Sequence, residues 1–80
     1  MPEPGGKAAR TVMWEARAVP ERAAELLAWA LEHAPPQARV YRSADARVVV
    51  IDDSGTGLPE APAGLLARPP HVWPFEPVPR

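Results

Sequence analysis

The chain has 80 residues, with twelve prolines, no cysteine and a formal charge of −1 from nine basic and ten acidic side chains. These values exclude disulfides, thiolate metal sites and cysteine nucleophiles. They also argue against a nucleic-acid partner, which needs a basic stripe that no window here supplies. No apolar run reaches the ~15–20 residues of a membrane span, and "MPEPGGKAAR" lacks the apolar stretch of a signal peptide. A cytoplasmic protein without a membrane partner is therefore expected.

A domain of this size buries only roughly 60–65% of its unfolded surface, so its stability must come from an efficient core or from self-association. Alanine supplies fifteen of the apolar residues. Each buries little area, so the core material reduces to valines, leucines, one isoleucine and five aromatics. The bias of eight arginines to one lysine, with abundant alanine and proline, fits coding from a GC-rich genome.

Residues 1–10 carry two prolines, two glycines and no large apolar cluster, which predicts a disordered tail. Residues 11–80 are expected to form one α+β domain. In "TVMWEARAV", Val12, Trp14, Ala16 and Ala18 fall on one face of a strand, and Met13, Glu15, Arg17 and Val19 on the other. The segment "PERAAELLAWALEHAPP" predicts a helix. Pro20 suits its first turn, Glu21 complements the positive end of the helix dipole, and Pro35–Pro36 stop it. Ala23, Leu26, Leu27, Ala30, Leu31 and Ala34 recur at three- and four-residue spacing as one stripe.

"ARVYRSADARVVVIDDSG" predicts two strands joined by a turn at Ser43–Ala46. Val48–Ile51 are apolar on both faces, the pattern of a central or doubly covered strand. From Gly55 onward, seven prolines and two further glycines leave room for one helical turn in "EAPAGLLAR". "PHVWPFEPV" alternates Trp73 and Phe75 against Val72 and Pro74, and proline confines such a segment to an edge strand or an extended strap.

With Leu27 at the centre of the apolar stripe, Trp29 lies about 200° around the helix, at ~100° per residue. Its neighbours there are Arg22, Glu25, Glu32 and His33. Three readings stay open. The ring lies over Arg22 or the Glu25 stem, the strap around Trp73–Phe75 covers it, or a partner molecule does.

No chemistry-bearing motif stands out. His33 and His71 sit on different elements, and Asp52 and Asp53 point to opposite faces of a strand, so no metal site is expected. "DSGTG" lacks the lysine and following helix of a phosphate loop and reads as a surface turn. Ser43 and Ser54 sit beside aspartates in turns, where capping explains them. The candidate ligand or interface residues are Trp14, Trp29, Tyr41, His71 and Trp73. Trp14, Tyr41, His71, Trp73 and Phe75 would line an apolar pocket for a small ligand or fill the core, and the second reading is preferred. Arg39 and Arg42, beside Tyr41, suit a carboxylate ligand or a solvated strand face.

The run "TVMWEARAVPERAAELLAWALEH" followed by "ARVYRSADARVVVIDD" resembles the first half of a ferredoxin-like domain. More narrowly it is similar to the dimeric α+β barrel group that includes the small antibiotic-biosynthesis-monooxygenase-like proteins. The matching segments are Val12–Ala18, Glu21–Ala34, Val40–Ser43 and Arg47–Asp52, about half the chain. The second half departs, because a second helix would have to cross Pro59, Pro62 and Gly64. The resemblance implies a homodimer formed through the sheet faces and a pocket between helix and sheet. It carries over no catalytic residue and no cofactor. The strand apolar on both faces supports association independently, since one helix covers only one face. The expected function is a homodimeric binding or interaction module. The alternative is a cofactor-independent monooxygenase or isomerase, favoured if Tyr41 or His71 points into a closed cavity beside Trp14. An adaptor that docks through its proline-rich tail ranks last.

Overall fold

β1 (Thr11–Arg17) keeps the alternation seen in its sequence, with Val12, Trp14 and Ala16 buried on one side. In this computed structural model, which describes residues 10–80, a turn of 3-10 helix at Pro20–Arg22 follows and leads into α1 (Ala23–His33). The expected tail over residues 1–10 thus lies, Arg10 apart, outside the described residues. Ala34 ends the helix in an extended conformation (φ −68°, ψ 147°) because it precedes Pro35, and a residue before proline is pushed out of the helical region.

β2 (Arg39–Arg42) and β3 (Arg47–Asp52) form a hairpin, and β4 (His71–Phe75) closes the sheet. The order is β2-β3-β1-β4, with every pair antiparallel. β3, apolar on both faces, is internal as its composition requires, and β4 with its Pro74 lies at an edge.

The register sorts the side chains into two faces. Val40, Val48, Val50, Asp52, Val12, Trp14, Ala16 and Val72 share the side on which α1 packs. The opposite side shows two rows across four strands, Arg39–Ile51–Met13–Trp73 and Tyr41–Val49–Glu15–His71. Over β1 the helix side is completed by the connection 53–70, whose Ala61 and Leu65 are buried. Backbone bonds fix that connection: Val19 N–H donates to the Leu65 carbonyl and Ala67 N–H to the Arg17 carbonyl, both at 2.9 Å. The one helical turn expected there is a 3-10 turn at Ala63–Leu65.

The rotation of α1 corrects the sequence reading. Its buried centre is Leu26 and Ala30, not Leu27, and Leu31 is 61% exposed. Trp29 is half-buried on the sheet side, with its ring 5.9 Å from Trp14 and stacked at 4.8 Å on His33. The His33 Nδ1–H donates to the Trp29 carbonyl at 2.9 Å. The strap explanation also falls, because Trp73 belongs to β4 and sits on the other side of the sheet. Trp29 outweighs Leu31 because an indole offers more apolar area to bury.

The β2–β3 turn holds Ala46 at φ +69°, a left-handed conformation that disfavours a Cβ. Ala46→Gly is expected to raise stability by about 0.5 kcal/mol, the relief of strain exceeding the extra unfolded-state entropy of glycine. Trp29→Ala should cost about 2–3 kcal/mol and Leu31→Ala less than about 0.5 kcal/mol. Urea denaturation measures all three, and the reverse order for the last two would restore the Leu27-centred stripe.

Candidate functional site

The uncovered sheet face carries the largest concentration of exposed bulky side chains. Tyr41, Trp73 and Phe75 are about half exposed, and Met13, Val49 and Ile51 lie half-buried between them. None of the described elements packs on this side. At one end of the face sits a charged corner built around Glu15.

Glu15 is only 6% exposed although its face is open, because basic side chains lie over it. Arg68 Nη2 donates to both of its oxygens, at 3.3 and 3.2 Å, and His71 Nδ1 lies 3.3 Å from Oε1. Arg47 Nε is 3.0 Å from Oε2 but out of line for a hydrogen bond, so that contact is Coulombic. Beside them Arg17 Nη2 bonds Asp45 at 2.9 Å, and Arg47 Nη2 lies 3.5 Å from the same oxygen. The Ser43 hydroxyl also donates to Asp45. That bond first, and then the charges of Arg47 and Arg17, hold the Asp45 carboxyl below its ordinary range against the opposing effect of burial. At the other end of the face Asp53 accepts from the Thr11 hydroxyl at 2.9 Å and faces Arg39 at 3.6 Å.

The sequence-predicted site residues do not form one pocket. Tyr41, His71 and Trp73 share the open face with Phe75, and His71 and Trp73 rings lie 5.3 Å apart. Trp14 is on the opposite face with Trp29. Of the two arginines flanking Tyr41, Arg39 belongs to the open face. Arg42 lines a groove of about 600 Å³ between the start of α1 and the β2–β3 turn. Glu15, Arg47 and Arg68 were not among the predicted site residues. The pair Glu15 and Arg47 carries a sequence signal, as charges at alternate positions of apolar strands, whereas nothing local marks Arg68.

Beside Trp14 an open cleft of about 530 Å³ runs between the sheet and the connection 53–70. Val12, Trp14, Leu58, Leu66 and Val72 supply apolar walls, and Thr56 and Glu60 are the polar side chains lining it. No group of three potential metal ligands occurs among the described residues, and no described helix is long and apolar enough to cross a membrane.

Asp52 has a structural part. Its carboxylate, fully buried at the end of β3, accepts from the Ser54 hydroxyl at 2.6 Å and from the Ser54 and Gly57 N–H groups at 2.9 and 2.7 Å. Gly57 has φ +78°, so the turn that brings its N–H inward favours glycine. Burial alone would raise the Asp52 pKa, but these hydrogen bonds outweigh it and the pKa lies below its ordinary value of 3.8.

Comparison with protein-family models, with curated proteins and with solved structures finds no match. The functional reading therefore rests on geometry.

A depressed carboxyl pKa contributes stability that is present above the unfolded value and lost as pH falls through the folded one. The melting temperature should accordingly drop on acidification below the ordinary value of 3.8, and Asp52→Asn should flatten that drop. Thermal unfolding by circular dichroism between neutral and strongly acidic pH checks this. An unchanged acid limb in the variant would show that Asp52 is not the group responsible.

Proposed function

We propose that the protein is a homodimeric interaction module whose contact surface is the uncovered sheet face. The observation that carries this reading is the row Arg39–Ile51–Met13–Trp73. A twofold axis along the strands would set each chain's Arg39 over the other's Trp73, a cation–π pair, and each Ile51 over the other's Met13. With strands ~4.8 Å apart and ~3.4 Å per residue, the face measures roughly 20 × 20 Å. Two such faces bury on the order of 800 Å² in projection, below the ~1,200 Å² where stable specific interfaces begin and in the range of weak, transient ones, so the dimer is expected to be of modest affinity.

The strand order β2-β3-β1-β4 supports a ferredoxin-like architecture in which the connection 53–70 stands in place of a second helix. It also supports kinship with the dimeric α+β barrels. A cytoplasmic location fits the same reading. The cleft beside Trp14 suits a small apolar ligand. A cofactor-independent monooxygenase or isomerase is the weaker reading. Its discriminating feature was Tyr41 or His71 pointing into a closed cavity beside Trp14, and both residues occupy the far face of the sheet.

Sedimentation equilibrium at high micromolar concentration is expected to give twice the 8.7 kDa chain mass. Trp73→Glu should return the monomer with unchanged far-ultraviolet circular dichroism, and Ile51→Glu provides a second variant at the centre of the row. A wild-type monomer at every concentration would overturn the proposal.

A further inference from the structure

The charged corner holds more positive charge than its fold requires. Arg17 and Arg47 are register partners on one face of neighbouring strands, an arrangement in which like charges destabilise a sheet. Arg68 adds a third guanidinium. Against these stand two carboxylates, Glu15 and Asp45, so one positive charge is left over before His71 is counted.

The hydrogen bonding is unbalanced in the same sense. Arg17 bonds through Nη2 alone and the Arg47 guanidinium makes ion-pair contacts without a hydrogen bond among the described residues, so the exposed ends of both hold donor capacity that the protein's own carboxylates leave unused, while their Nε–H groups are buried without an acceptor. Their side chains remain 35% and 38% exposed, and that of Arg68 39%. Glu15, 7% exposed at its side chain, lies beneath them and anchors Arg68 and Arg47. Asp45, half exposed on the turn, is the group that must move aside for an external acceptor.

We propose that Arg17, Arg47 and Arg68, the last two anchored by Glu15, form a binding site for a small oxyanion, a phosphate or carboxylate group, at the corner of the open face. The guanidinium fork suits both groups, because its parallel N–H donors match two oxygens on one centre. The site lies at the Arg17–Arg47 end of the face, apart from the Arg39–Ile51–Met13–Trp73 row on which the dimer reading rests, and following anion binding and oligomeric state in the same samples separates the two.

The test is a nuclear magnetic resonance titration of the arginine Nε–H signals with inorganic phosphate, succinate and chloride at matched ionic strength. The oligomeric state is followed by sedimentation in the same samples. Saturable shifts of the Arg17 and Arg47 signals are expected with phosphate or succinate and none with chloride, and the anion that saturates at lower concentration identifies the preferred group. Arg17→Gln should weaken binding by about tenfold or more, and Arg47→Lys, which keeps the charge but loses the fork, by several-fold. Asp45→Asn should strengthen it, since it removes the internal competitor. Equal shifts with chloride, or an Arg17→Gln variant that binds as the wild type does, would overturn the proposal whether or not the protein is dimeric.

Discussion

The contact between Trp14 on β1 and Trp29 on α1, with ring centroids 5.9 Å apart, sets the rotation of the one α-helix among the described residues. Much else follows from that rotation. With Trp29 turned toward the sheet, Leu26 and Ala30 reach zero exposure over Val48 and Val50, and Leu31 is left outside. The helix ends immediately beyond this contact, where His33 stacks on Trp29 and bonds its carbonyl before Pro35 forces the chain to extend. In an alanine-rich core, two indoles in contact supply a large part of the apolar area that smaller side chains cannot.

The same arrangement commits the sheet to asymmetry. The helix and the connection 53–70 share one side, held there by the bonds of Val19 and Ala67 to Leu65 and Arg17. Nothing described is left to cover the other side. That face is neither uniformly apolar nor uniformly charged. The row through Ile51, Met13 and Trp73 is apolar, the far end mixes Phe75 with Thr11 and Asp53, and the Arg17–Arg47 end gathers guanidiniums around a buried carboxylate. A solvated face needs neither exposed aromatics on β2 and β4 nor a carboxylate sealed under arginines. On the reading proposed above, the row through Met13 supplies contact area and the charged corner beside it is a separate anion site.

Much of this was legible in the residues. The alternation of Val12, Trp14, Ala16 and Ala18 against Met13, Glu15 and Arg17 defines β1 and its two faces. The doubly apolar Val48–Ile51 requires an internal strand, and Pro74 requires an edge. The rotation of α1 was not legible, because Ala23, Leu26, Leu27, Ala30, Leu31 and Ala34 spread over so wide an arc that either flank can face inward. The arbiter, Trp14, lies on another element. The Glu15 cluster was hidden for a related reason, since Arg47, Arg68 and His71 come from three segments that only the sheet register and the long connection bring together. Grouping Tyr41, His71 and Trp73 with Trp14 by size ignored the strand alternation that puts Trp14 on the other face.

The most direct measurement of this arrangement is the set of nuclear Overhauser contacts made by the indole protons. Cross-peaks are expected between the Trp14 and Trp29 rings and between the Trp73 and His71 rings, with none linking Trp29 to Trp73. A Trp29–Trp73 cross-peak in place of the Trp14–Trp29 one would mean that the C-terminal segment lies over the helix. The two-faced sheet, and the contact surface drawn on it, would then be wrong.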